Sequence, residues 1–106
     1  MRARILVTGR VQRVGYRNFV RVMANRNRVN GIVRNLNNGM VEIFADGPKE
    51  NVDQFIRSIQ PKNPTITTAI VEGIEINTEG SPGFSSPWKE YGDRFIIDRS
   101  RSVLNV

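Results

Sequence analysis

A loop that could bind an anion follows the first apolar segment of the chain. Residues 9–17 read GRVQRVGYR, and Gly15 interrupts the strand-like pattern just before helical spacing begins. A tight turn that leads into a helix directs several backbone N–H groups to one place, where they bind anions. An arginine at position 17 would add a planar guanidinium that holds two phosphate oxygens at once. The predicted phosphate-binding loop consists of Gln12, Arg13, Val14, Gly15, Tyr16 and Arg17.

This loop does not by itself establish anion binding, because loops before helices are common. It also lacks the Gly-x-x-x-x-Gly-Lys-[Ser/Thr] pattern of nucleotide-binding P-loops. A second candidate is Asn35, a polar residue near the end of a β-prone segment. An amide can orient a water molecule but does not easily remove its proton. Turn propensity also accounts for an asparagine here, as it does for Asn37 and Asn38.

The absence of two residue types restricts the chemistry. The chain has no cysteine, which excludes disulfides, thiolate nucleophiles and cysteine-based metal sites. It has no histidine either, so a titrating imidazole is not available near neutral pH. No cluster of closely spaced carboxylates provides a metal site. We therefore expect no metal and no cofactor.

Positive charge is concentrated at the start of the chain. The formal net charge is +6, all nine basic residues up to Arg34 are arginines, and no acidic residue precedes Glu42. This asymmetry indicates an anionic partner. A basic surface that serves solubility is an equally good interpretation of scattered charges.

Length and hydropathy predict one folded domain. The chain has 106 residues, which suits a single core. No apolar run approaches the roughly 20 residues that span a bilayer, and no signal peptide is visible. We expect a domain over residues 1–100, a tail over 101–106, a cytoplasmic location, no membrane association and a monomer.

Apolar periodicity predicts the elements that would position the loop and Asn35. Residues 3–11 are typical of a strand, and a helix of about three turns follows the loop. Two β-prone segments then flank Asn37-Asn38-Gly39, which predicts a β-hairpin. The predicted helix has its apolar residues at helical spacing: Phe19, Val20, Met23 and Ala24.

The second half of the chain continues the alternation. Residues 48–60 predict a helix in which Pro48 occupies the first position and Pro61 follows the end. Residues 67–77 and 95–97 predict strands, and the segment from Thr78 to Asp93 predicts a surface loop without structure of its own. The order β-α-β-β-α-β plus one short strand indicates an α+β, ferredoxin-like fold with two helices on one face of a mostly antiparallel sheet.

Taken together, three motifs resemble the signatures of the acylphosphatase family. They are GRVQRVGYR, GIVRN and NNGMVEIFADG, and the resemblance runs without a gap from Gly9 to Gly47. It continues more loosely through the second helix and later strands. The resemblance implies hydrolysis of acyl phosphates, with the loop around the phosphate, Arg17 bound to it and Asn35 positioning the nucleophilic water.

Elementary chemistry agrees with that implied activity. The leaving group of an acyl phosphate is a carboxylate whose conjugate acid has a pKa of about 4, so no general acid is needed. An arginine and fixed N–H dipoles can stabilise charge on the phosphoryl oxygens, and the phosphate itself can take the proton of the water. The expected partners are an acyl phosphate substrate and inorganic phosphate as product.

Three positions depart from the family pattern. Arg13 replaces the usual loop glycine, so the loop either takes another shape or carries strain of about 1–2 kcal/mol. Arg28 replaces a glycine near the end of the first helix, which leaves Asn27 as the predicted left-handed cap. Ile32 stands where an aromatic residue is common.

Several other functions remain open from the sequence. The fold also suits an RNA-binding module, but it lacks the aromatic RNP signature, so we do not expect nucleic acid. The loop also resembles that of the N-terminal domain of hydrogenase-maturation carbamoyltransferases; with no zinc-finger cysteines following, we expect a free-standing enzyme. A phosphate-binding relative without turnover is the remaining alternative.

Overall fold

The chain forms one five-stranded sheet with two helices. The computed structural model describes residues 1–61 and 68–100. The strands lie in the order β4-β1-β3-β2-β5. Neighbouring strands are antiparallel except for β2 and β5, which are parallel. The predicted ferredoxin-like fold with an added C-terminal strand is confirmed. Its elements are β1 Arg2–Arg10, α1 Tyr16–Arg26, β2 Asn30–Asn35, β3 Val41–Asp46, α2 Lys49–Ser58, β4 Ile70–Thr78 and β5 Phe95–Ile97.

The hydrophobic core lies between the sheet and the helices. Alternate residues of β1 and β3 face it, since side chains alternate along a strand, and the apolar stripes of α1 and α2 cover them. The Tyr16 hydroxyl donates a 2.6 Å hydrogen bond to the carbonyl of Ile59 inside this layer. This bond ties the start of α1 to the end of α2. The principal core residues of the sheet are Ala3, Ile5, Val7, Val41, Ile43 and Ala45.

The opposite face of the sheet is covered by residues 79–94. This segment has no helix or strand and lies at the surface, as predicted, with every residue exposed or half-buried, but its aromatic side chains also pack on the sheet. Phe84 and Tyr91 pack on Phe44 of β3, with ring centroids 5.8 and 6.0 Å away. The Arg34 guanidinium lies 4.1 Å from the ring centroid of Trp88. Aromatic burial fixes the segment on the sheet.

A buried ion-pair group lies under this cover. Glu42 is only 4% exposed. Its carboxylate contacts Arg4 Nε and Arg34 Nη2, each at 2.7 Å. Arg2 contacts Glu79 at 3.2 Å. Part of the N-terminal positive charge is therefore paired with acidic residues from later in the chain.

The end of α1 differs from its prediction. Asn27 has φ −96°, whereas Arg28 has φ 55°. Val29 N–H bonds the carbonyl of Ala24 and Arg28 N–H bonds that of Asn25, which is the Schellman arrangement, and it requires the left-handed residue one position after the cap. The prediction of Asn27 as the left-handed residue is therefore wrong.

Other boundaries differ by a few residues. Pro48 is the N-cap of α2 and not its first helical residue. β4 begins at Ile70, while Thr67, where the strand was predicted to start, lies outside the described residues, as does the predicted tail 101–106. Within the described ranges, neither helix has the length and apolar character needed to cross a bilayer.

Candidate active site

The loop after β1 has an irregular, partly left-handed backbone. A register shift between Thr8 and Gly9 interrupts the pairing of β1 with β4, which then continues from Gly9 with Val71 to Arg10 with Ile70. A Cβ at Gly9 would lie 2.2 Å from the carbonyl oxygen of Ile70, so glycine is required there. Arg13 has φ 61° and Gly15 has φ 76°. The loop thus keeps the positive φ at position 13, at a cost of about 1–2 kcal/mol.

This backbone shape leaves N–H groups available. Among the described residues, no main-chain acceptor bonds to the N–H of Arg13, Val14 or Gly15. The first N–H groups of a helix also have no partner within it. Successive free N–H groups in such a turn form a concavity that favours anions.

Gln12 ties the loop to the hairpin that carries Asn35. Its side-chain Nε2 donates to the carbonyls of Leu36 at 2.7 Å and Met40 at 2.8 Å. The hairpin turn itself is closed by Leu36 N–H to Met40 and Gly39 N–H to Leu36, and Gly39 takes φ 92°. The spacing between the loop and Asn35 is therefore fixed by side-chain and backbone bonds together.

The loop and the hairpin form one side of a cleft of about 360 Å³. Four of the predicted residues line it, whereas Val14, Gly15 and Tyr16 do not, and the Tyr16 side chain is buried in the core. A larger cavity of about 640 Å³, lined by Gln60, Pro61 and residues 69–74, contains none of the predicted site residues. The cleft is lined by Gln12, Arg13, Arg17, Asn35, Leu36, Asn37, Arg99 and Ser100.

Arg17 is in a positively charged environment. Burial and the nearby charge of Arg99 lower the pKa of the Arg17 guanidinium, while Asp98 raises it. Arg17 stays a cation at neutral pH, because the ordinary pKa of arginine exceeds 12. Its charge is thus available to an anion in the cleft.

The side-chain oxygen of Asn35 is an unused acceptor. Asn35 Oδ1 is buried and has no hydrogen-bond partner within residues 1–61 and 68–100. A buried polar atom without a partner costs about 1–3 kcal/mol. A water molecule bound in the cleft can donate to it and remove that cost.

Arg99 and Ser100 were not predicted as site residues from the sequence. They follow β5, whose parallel pairing with β2 joins Val33 to Ile97 and so brings the next residues toward Asn35. The short apolar run of β5 was visible in the sequence, but its neighbour in the sheet was not, because parallel pairing joins segments far apart in the chain.

Comparison with known proteins identifies the family. The Acylphosphatase family profile matches residues 3–87. The chain belongs to the acylphosphatase family. An acylphosphatase of Bacillus licheniformis is 48% identical over 61 residues, which are 58% of this chain and 68% of the relative. The family match confirms the predicted family and, with it, the predicted activity, which is acyl phosphate hydrolysis.

Solved structures and larger relatives agree. The crystal structure of the acylphosphatase from Bacillus subtilis superposes with a TM-score of 0.72 at 32% identity, covering 92% of this chain and 97% of that one. A probable carbamoyltransferase HypF of Methanocaldococcus jannaschii is 42% identical over 67 residues, which are 63% of this chain and 9% of that protein. The domain therefore also resembles part of a larger enzyme.

Proposed function

We propose that this acylphosphatase binds the phosphoryl group of its substrate with Arg17 and the loop N–H groups and positions the attacking water with Asn35. The observation that carries the proposal is the cleft itself. Arg17 and Asn35 both line it, and the buried Oδ1 of Asn35 has no partner among the described residues.

The reaction needs few groups. The water oxygen forms a bond to phosphorus while the bond from phosphorus to the acyl oxygen breaks. The carboxylate leaves with its electron pair, and a phosphoryl oxygen takes the proton of the water. Arg17 and the N–H groups stabilise charge on the phosphoryl oxygens, and Asn35 contributes by orientation.

We also propose a cytoplasmic monomer that acts on small acyl phosphates and not on nucleic acid. RNA-binding domains of this topology stack bases on aromatic residues of the open sheet face. In this protein Phe44 lies under Phe84 and Tyr91. This arrangement supports a small-molecule substrate over RNA.

Hydrolysis of benzoyl phosphate in the presence of a chelator tests the proposal. We expect wild-type turnover, a raised inhibition constant for inorganic phosphate in Arg17→Ala, and a kcat lowered on the order of 10²–10³-fold in Asn35→Ala. Arg21→Ala is the matched control, because Arg21 lies in the same helix, bonded to Asn18, and does not line the cleft. Full activity in Asn35→Ala would contradict its role.

A further inference from the structure

A second part of the cleft lining comes from the short segment after β5, which is held in place by hydrogen bonds of its own. Arg99 and Ser100 also line the cleft, and they lie outside the range 3–87 that matches the family. The N–H of Asp98 bonds the carbonyl of Val33 at 2.8 Å. This bond extends the pairing of β5 with β2 by one residue and aligns the segment with the strand that ends at Asn35.

Asp98 then fixes the backbone on either side of Arg99. Its carboxylate accepts hydrogen bonds from the N–H and the hydroxyl of Ser100 and from Trp88 Nε1 at 3.0 Å. Lys89 Nζ lies 3.6 Å from the same carboxylate. Asp98 itself is 8% exposed, whereas Arg99 and Ser100 are exposed, so the bonds to this carboxylate hold the segment at the surface.

The described lining of the cleft has an excess of positive charge. Three arginines line it, and its described lining includes no acidic residue. Arg99 is close enough to Arg17 for its charge to lower the pKa of the Arg17 guanidinium. Like charges in one cleft repel each other, and a dianion bound between them attracts both, which outweighs the repulsion.

We propose that Arg99, which lines the same cleft as Arg17, is a second phosphoryl-binding guanidinium, and that Asp98 is the residue that positions it. The inference rests on the proposed function. A phosphoryl group has three non-bridging oxygens, and a bidentate arginine occupies two. Arg99 binds the third oxygen, and the Ser100 hydroxyl stays bonded to Asp98. Both substrate and inorganic phosphate bind through two arginines.

The test compares Arg99→Ala with Arg94→Ala, an exposed arginine of the same region outside the cleft. Binding of inorganic phosphate, measured by calorimetry, does not depend on turnover. We expect Arg99→Ala to weaken it about 10–30-fold and Arg94→Ala to leave it unchanged. Unchanged phosphate binding in Arg99→Ala, with weakened binding in Arg17→Ala, overturns the inference and leaves the proposed function intact. Absent turnover in wild type overturns the function instead.

A second substrate separates the phosphoryl end from the acyl end. In Arg99→Ala we expect kcat/KM to fall by similar factors for benzoyl phosphate and for succinyl phosphate, which carries an extra carboxylate. A loss confined to succinyl phosphate would assign Arg99 to the acyl group and overturn the inference.

The positioning role of Asp98 has its own readout. We expect Asp98→Asn to weaken phosphate binding, and the double variant Asp98→Asn/Arg99→Ala to bind no more weakly than Arg99→Ala alone. Additive losses would show that Asp98 acts independently of Arg99 and would overturn its assigned role.

Discussion

The two sides of the cleft are built in different ways. The first side, the loop 12–17 with Asn35, is held by backbone geometry and by the bonds of Gln12 to the hairpin. The second side, residues 98–100, is held by side chains of the segment that covers the sheet, chiefly Trp88 and Lys89. The first side falls within the family match and the second outside it. The family match therefore supports the first side only, and the second side rests on the contacts of Asp98 with Trp88 and Lys89.

Among the residues that hold the two sides in place, the largest effect is expected on the first side, from Gln12→Ala. Without its amide the loop loses both bonds to the hairpin, and a misplacement of about 1 Å can cost on the order of 10²-fold in rate. We expect kcat/KM for benzoyl phosphate to fall by about that factor. Gln54→Ala, on the exposed side of α2, is the control. Unchanged kinetics in Gln12→Ala would mean that the backbone alone holds the loop.

The second side should be sensitive to acid. Burial alone would raise the pKa of Asp98, but bonds from Ser100 and Trp88 and the charge of Lys89 outweigh it and lower the pKa to about 2. A lowered pKa in the folded state adds stability above the unfolded pKa of about 3.9, and this stability is lost as the pH falls through the folded value. We expect the free energy of unfolding to drop by about 2 kcal/mol between about pH 4 and pH 2 through Asp98.

Urea unfolding at several pH values measures this effect. Asp98→Asn should show a smaller drop than wild type over the same interval. Equal pH dependence in the two proteins would show that the bonds to Asp98 do not favour its charged form.

A smaller effect is expected from Trp88→Phe. The change removes the indole donor to Asp98 but keeps an aromatic ring beneath Arg34. A hydrogen bond to a charged group contributes about 1.5–3 kcal/mol, but the contacts of Asp98 with Ser100 and Lys89 remain and limit the effect. We expect the inhibition constant of inorganic phosphate to rise about 3–10-fold with little change in kcat. A larger fall in kcat than in phosphate affinity would show that the two sides are not separable.

The smallest effects concern the two arginines with left-handed backbone, Arg13 and Arg28. Glycine at either position removes strain of about 1–2 kcal/mol but increases the entropy of the unfolded chain. We expect both Arg13→Gly and Arg28→Gly to raise the free energy of unfolding by about 0.5–1 kcal/mol, as measured in urea. Arg13→Gly should also weaken phosphate binding, because Arg13 lines the cleft, but only about 2–3-fold, because its charge is exposed and screened. Arg28→Gly should leave phosphate binding unchanged. Destabilisation in both variants would refute the strain.

The sequence allowed most of the fold to be predicted, because apolar periodicity is local. This periodicity predicted α1, the hairpin and β5 to within a few residues of their observed bounds. The error at Asn27 arose because the asparagine preference for left-handed backbone competed with the Schellman bonds of Val29 and Arg28, which depend on where the helix ends. The packing of residues 79–94 on Phe44 was not predictable, because contacts between a loop and a distant strand leave no periodic signal.

Only part of the candidate site could be predicted from the sequence. Arg17 is the last residue of the motif GRVQRVGYR and Asn35 is the last residue of GIVRN, and the structure places both in the cleft. Their roles remain predictions. Arg99 could not be found, because its place depends on the parallel pairing of β5 with β2 and on the bonds of a buried aspartate.

Trp88 gives this protein a built-in optical reporter. It is the single tryptophan of the chain, and its indole N–H bonds the carboxylate next to Arg99 while its ring lies against Arg34. Its emission should therefore respond when an anion occupies the cleft. Titrations could be followed in unlabelled protein, without a chromogenic substrate and before any bond is broken.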